Sequence, residues 1–301
     1  MCTQSIKRPG EFGIHHKKFN SIVSEKSCVE KTATGFQFTE GPVWNAYEGF
    51  LLFSDIPANH ILKWTPSEGI TTFHKPSGNS NGLTYDREGR LIICEHGNRR
   101  LSRIERDRTY TVLADKFEGK RLNSPNDVVV KSDGTIYFTD PPYGIKPEQQ
   151  ELPFQGVFRL DPNNKELTLL VKDFDRPNGL AFSPDEEVLY IADSSGRRHV
   201  RAFDVNPDGT LSKSCVFAEI RSKDPGNPDG MKVDVEGNLY VSAAGGIWVF
   251  SVKGERLGII RTPETPANCA WGDADWKSLF ITARTTLYRV RLKIPGVKVP
   301  S

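Results

Sequence analysis

The sequence has no surplus of charge of either sign. Its 301 residues carry 40 basic and 38 acidic side chains, a formal charge of +2, which excludes an electrostatic nucleic-acid surface or a polybasic membrane patch. No apolar run approaches the ~18–20 residues needed to cross a bilayer, and the opening MCTQSIKRPGEFGIHHKKFN lacks the apolar core of a secretory leader. The expectation is a soluble, cytoplasmic protein without nucleic-acid, membrane or obligate protein partner. Cysteine is sparse: Cys2, Cys28, Cys94, Cys215 and Cys269 are odd in number and widely spaced, with no CxxC. That argues against a disulfide framework or a structural zinc site; Cys94 and Cys269, in apolar strand-like surroundings, read as small core residues. No stretch sustains a 3.6-residue apolar period over three turns, and 26 Gly and 20 Pro interrupt the chain, so helices are not expected. There is no GxSxG, HExxH, Walker A or GxGxxG motif. Ser194-Ser195-Gly196 reads as a turn between strands.

What is present is a repeat. Segments beginning at Glu40, Asn81, Asn126, Asn178, Asp229 and Asn268, spaced by 41, 45, 52, 51 and 39 residues, share one pattern. A polar residue opens a short alternating run. A turn rich in Asp, Gly, Glu and Asn follows, such as Asp86-Arg87-Glu88-Gly89. A second run comes next (LLFSD, LIICE, IYFTD, LYIAD, LYVSA, LFITA), then a third (HILKW, LSRIE, GVFRL, HVRAF, GIWVF, TLYRV), and a less regular fourth such as TVLAD or LTLLV. Hairpins of this kind, four strands per ~40–50 residues, read as propeller blades. The fold class is all-β, a six-bladed β-propeller of four-stranded antiparallel blades. Residues 25–301 form the single propeller domain, with residues 1–24 an arm or closing segment. The polar, Pro-containing stretch from Tyr143 to Gln155 is an inserted loop, with 145–155 a candidate lid.

In a propeller the innermost strands line the axis, so the six opening residues form a ring of two carboxylates and four amides. Asn, Asp and Gly at strand entrances are also ordinary turn residues. Six in one register, with Glu at one of them, point instead to a polar channel, filled by a hard divalent cation or by structural water. The second runs end in Asp55, Glu95, Asp140 and Asp193, replaced by Ala243 and Ala283 in the last two repeats. Their expected role is hydrogen bonding to nearby backbone or support of the ring.

The motifs FTEGPVW, GKRLNSPNDVVV, IYFTDPPYG, RPNGLAFSPDE, LYIAD and NPDGMKVD resemble those of the SMP-30/gluconolactonase/regucalcin-like family, over about Phe36 to Val290 and most closely in its bacterial gluconolactonases. The resemblance implies one divalent metal, Ca²⁺ first and Mg²⁺, Mn²⁺, Zn²⁺ or Fe²⁺ as alternatives, held by Glu40, Asn178 and Asp229, with Asn126 at the same site. It implies Asp229 as general base, and Asn126, His96 and Arg121 as substrate contacts. The Ser124-Pro125 insertion alters the spacing on which Arg121 rests. Tyr143, Asn81 and Asn268 complete the candidate substrate-binding set. The implied reaction is hydrolysis of a sugar lactone to its aldonic acid, with attack of water on a metal-polarised carbonyl. Alternatives are a related propeller hydrolase for other lactones or phosphotriesters, or a non-enzymatic Ca²⁺-binding regulator. A protein-interaction propeller would not need a ring of acids and amides.

Overall fold

In a computed structural model, residues 11–299 are described. Almost all are strand or turn, arranged as six antiparallel blades and one small outer hairpin, Lys116–Phe117 with Lys120–Arg121. The first blade is Thr39–Asn45, Phe50–Asp55, His60–Thr65 and Gly69–His74; the second is Ser80–Tyr85, Leu91–Glu95, Arg100–Ile104 and Tyr110–Ala114. Val128–Val130, Ile136–Asp140, Gly156–Leu160 and Leu167–Val171 make the third, and Pro177–Phe182, Val188–Asp193, His199–Val205 and Leu211–Glu219 the fourth. The fifth runs from Met231–Val233 through Leu239–Ala243 and Gly246–Phe250 to Arg256–Arg261, with Phe12–Ile14 added outside it. The sixth comprises Asn268–Gly272, Ser278–Ala283 and Thr286–Arg291, and takes its outermost strand, Val29–Thr34, from the other end of the chain. The innermost strands touch in sequence around the axis, and the sixth meets the first. The protein is therefore a closed six-bladed β-propeller. Residues 1–10 of the expected arm lie outside the described residues. No helix of the described residues is long and apolar enough to cross a membrane.

The second strand of each blade is buried on both faces, which is why LLFSD, LIICE and IYFTD read as near-continuous apolar runs. Between blades these side chains interlock. Trp44 stacks on Phe280 at 5.6 Å across the junction of first and sixth blades, and Tyr240 meets Trp271 edge-on at 5.0 Å between fifth and sixth. The C-terminal segment packs against the inner strands: Val297 N–H donates to Val233 O at 3.0 Å, and Val299 shares a cavity with Val43, Leu83, Val128 and Phe182. The insertion after Tyr143 is pinned beside the third blade. Leu152 is buried in the core, Asn123 Nδ2 donates to Phe154 O at 2.9 Å, and Gly144 N–H donates to Ser124 Oγ at 2.9 Å.

The glycines behind the ring residues have a geometric cause. A Cβ on Gly41 would lie 1.9 Å from Asn81 O, on Gly82 2.6 Å from Asn126 O, and on Gly179 2.3 Å from Asp229 O. These three inner strands press their glycines against the next blade's ring residue. NG and EG here mark close approach of backbones, not turns. Gly179→Ala is therefore expected to destabilise by roughly 1–3 kcal/mol or more. Gly196→Ala, where nothing lies within 4 Å of the new methyl, is expected to be neutral or slightly stabilising. Urea unfolding of both variants checks this; equal stabilities would contradict the packing argument.

Candidate active site

Each blade delivers its ring residue at an irregularity in the ladder. The pairing of first and second strands shifts between Glu40 and Val43, between Ser80 and Leu83, and between Pro177 and Leu180. In the third blade Asn126 and Asp127 both face Thr139, and in the fifth Asp229 and Gly230 both face Ser242. A bulge of this kind re-aims the side chain that opens the strand. The result is a cavity of about 410 Å³ on the axis, lined among others by Glu40, Asn81, His96, Asn126, Tyr143, Asn178 and Asp229. Seven of the residues expected from sequence are thus brought together.

Two are not. Arg121 sits exposed in a small outer hairpin, donating to Asn98 O at 3.1 Å, and does not line the cavity. Asn268 stands one residue past the ring. Ala267 N–H donates to Thr282 O, as Asn126 N–H does to Thr139 O and Asp229 N–H to Ser242 O. Gly230 N–H donates to Ala267 O just as Gly82 N–H does to Asn126 O. The sixth ring position is therefore Ala267, which lines the cavity. A one-residue offset on a strand reverses which way a side chain points. The Pro266 before Ala267, matching Pro125, Pro177 and Pro228, is the signal that places it. Nor do residues 145–155 line the cavity; only Tyr143, at the start of the insertion, reaches it.

Beneath the ring lies a second layer. The positions following the ring residues are Gly41, Gly82, Asp127, Gly179, Gly230 and Asn268. Asp127 is a buried acid where four blades have glycine. Its Oδ1 accepts Val128 N–H at 2.9 Å, and its Oδ2 is enclosed without a hydrogen bond. Sequence reasoning passed over it, although its place in a glycine register marks it. Ser194, which reads as a turn residue, also lines the site: its Oγ accepts Asn178 Nδ2 at 2.9 Å and donates to Pro228 O. This turns the Asn178 amide so that its oxygen is left for the axis.

The electrostatics are those of acids forced together. Burial pushes Glu40 up to about 7, and the charge of Asp127 adds to this against the Gly41 N–H, 2.7 Å away. Asp229 is raised well above the ordinary carboxylate range by its enclosure and then by Glu40 and Asp127. Its Oδ1 is enclosed and makes no hydrogen bond. The Asn268 side chain and then the charge of Lys232 oppose the rise in Glu40, and both act on Asp127 too. With all three carboxylates ionised, two negative charges are left over. His96 is pushed down to about 4 by burial. Its Nε2 lies 3.1 Å from Asn81 Nδ2. An amide NH₂ only donates, so the ring is neutral with its proton on Nδ1, and Asn81 presents its oxygen elsewhere. Tyr143, at the rim, is raised by burial, then by the charge of Asp229, with Ser194 and Asn178 opposing.

The supporting acids fall in two groups. Asp55 accepts the N–H of Gln37 and Phe38 at 3.0–3.2 Å, Asp140 those of Asn123 and Ser124 at 2.7 Å, and Asp193 those of Asp175 and Arg176 at 3.2 Å. Each ties down the loop that leads into its own inner strand. Glu95 does not.

A family described as SMP-30/Gluconolactonase/LRE-like region matches residues 38–285. The gluconolactonase of Zymomonas mobilis is 37% identical over 93% of this chain and 85% of its own length. Regucalcin of Xenopus laevis is 28% identical over 82% and 83%. The solved structure of a gluconolactonase from Xanthomonas campestris superposes with a TM-score of 0.86 at 35% identity, covering 93% of this chain and 94% of that one.

A pH dependence follows from Glu40. Its carboxyl is raised in the folded state above its unfolded value of 4.5. The stabilisation of the protonated form is complete below that value and is lost as pH rises through about 7. Protein stripped with chelator is therefore expected to melt at lower temperature at pH 8 than at pH 5.5, with a smaller difference in Glu40→Gln. Scanning calorimetry in a chelating buffer checks this; identical pH profiles for the two proteins would contradict it.

Proposed function

The chain belongs to the SMP-30/gluconolactonase/LRE-like family, and from that membership and the axial cavity we propose that it is a lactonase, opening a sugar lactone to its aldonic acid with one divalent cation. The observation that carries the cation is the pair Glu40 and Asp229, each raised by burial, Glu40 further by the charge of Asp127 and Asp229 by those of Glu40 and Asp127, with Asp229 Oδ1 enclosed and unpartnered. Buried charge left over in this way calls for a counter-ion. Among the described residues no three His, Cys, Asp or Glu side chains are placed to hold one ion, so the donor set proposed is the two carboxylates with the Asn178 amide, and Asn126 beside them. Oxygen-only donors suit a hard cation, Ca²⁺ before Zn²⁺. Bound there, the cation would polarise the lactone carbonyl and stabilise the developing oxyanion.

The chain's own groups account for the rest. Asp229 takes the proton of the attacking water and passes it to the ring oxygen as the acyl–oxygen bond breaks, giving the open hydroxy acid. Ser194 holds Asn178, and neutral His96 holds Asn81, so both amide oxygens are fixed before substrate arrives. Asn126 and the Tyr143 hydroxyl at the rim are placed to bind sugar hydroxyls, contacts that discriminate strongly because a missing hydroxyl leaves a polar partner unpaired.

The test is hydrolysis of glucono-δ-lactone by chelated protein, before and after Ca²⁺, Mg²⁺ or Mn²⁺ is restored. Activity is expected only with a cation. Asp229→Asn and Glu40→Gln are each expected to lower kcat/KM by about 10²–10⁴-fold while remaining folded by circular dichroism. Equal rates with and without metal would remove the cation, and near-normal rates in Asp229→Asn would remove the base.

A further inference from the structure

Glu95 breaks the repeat. At its position in three other blades an aspartate ties down the loop before the inner strand. In the second blade that task passes to Asn59, whose Oδ1 accepts Ser77 N–H at 3.0 Å and Asn79 N–H at 2.8 Å. Glu95 is released from it. Fully buried, its carboxylate turns outward to accept Arg100 Nε at 3.0 Å, Asn98 Nδ2 and Ser102 Oγ. Glu95, Asn98 and Arg100 help wall a separate cavity of about 440 Å³ between the first and second blades, within the ~300–1,000 Å³ range of small-molecule sites. The backbone pair His96 N–H to Asn79 O, 3.2 Å, lies between it and the axial cavity.

The walls say what would fit. Tyr110 is stacked on His74 at 5.2 Å and carries the Arg100 guanidinium over its ring at 5.8 Å, a fixed flat side. Glu95 and Arg100 cancel each other's charge, and burial holds His74 below its ordinary value, hence neutral near pH 7. A net-neutral site gives an ion nothing to replace its hydration. Among the described residues the Asn59 side chain bonds through its oxygen and the Asn98 side chain through its nitrogen, leaving a donor and an acceptor on two side chains that line the cavity. A hydroxyl satisfies both kinds. We propose that this cavity is a second binding site, distinct from the axial one, for a neutral polyhydroxylated molecule of monosaccharide size.

The probe is D-glucose, titrated into isotopically labelled protein and followed by amide NMR, with gluconate as the anionic comparison. Saturable shifts are expected at the amides of Gly78, Gly97 and Asn98, with gluconate binding there more weakly. Asn98→Leu and His74→Ala, each shown folded by its dispersed spectrum, are expected to weaken the apparent affinity by about tenfold, one lost polar or packing contact. Shifts confined to the axial residues Asn178, Gly179 and Gly230, titrations unchanged in both variants, or tighter binding of gluconate at these amides would overturn the proposal.

Discussion

Everything at the axis depends on three carboxylates held closer together, and drier, than they would choose. Glu40 and Asp229 face one cavity and Asp127 lies beneath, with the charge of Lys232 acting against the rise of Glu40 and Asp127. An isolated buried carboxylate would protonate instead of remaining charged. That tendency appears as the upward shift of Glu40 and Asp229. It also makes the arrangement costly to keep without a ligand, as expected of a site whose geometry serves chemistry at the expense of stability.

The fold bears that cost through backbone geometry. Glycine behind the ring residue lets each inner strand press on the next, so the cavity stays narrow. Bulges turn the opening side chains inward. Hydroxyls on the second strands tie neighbouring blades at the same level: Ser54 Oγ donates to Asn81 O at 2.8 Å and Thr139 Oγ1 to Asn178 O at 2.7 Å. The aspartates at the strand ends fix the loops above. The ring side chains are thereby aimed by main-chain bulges and then held by their neighbours, Asn178 by Ser194 and Asn81 by His96.

The repeat and its blades were legible because a strand buried on both faces leaves a near-continuous apolar run, as LIICE and LYIAD do. The ring was legible at Glu40, Asn81, Asn126, Asn178 and Asp229 because polar residues opening apolar strands stand out. It slipped by one residue in the sixth blade, where Ala267 occupies the ring and the more conspicuous Asn268 does not; polarity was a weaker guide there than the preceding proline. Asp127 was hidden behind Asn126, since a one-dimensional pattern does not separate two stacked layers of an axis. The distance of Arg121 from the cavity depends on the outer hairpin, and the altered use of Glu95 on Asn59 from another blade. Both are tertiary relations with no local signature.

Glu40, Asn178 and Asp229 are proposed together to hold one divalent cation. Anomalous diffraction from crystals soaked in Mn²⁺ tests this most directly. A single strong anomalous peak is expected on the propeller axis, within bonding distance of oxygens from all three residues and absent in Asp229→Asn. A peak elsewhere, or none at the axis while Glu40 and Asp229 keep their positions, would contradict it.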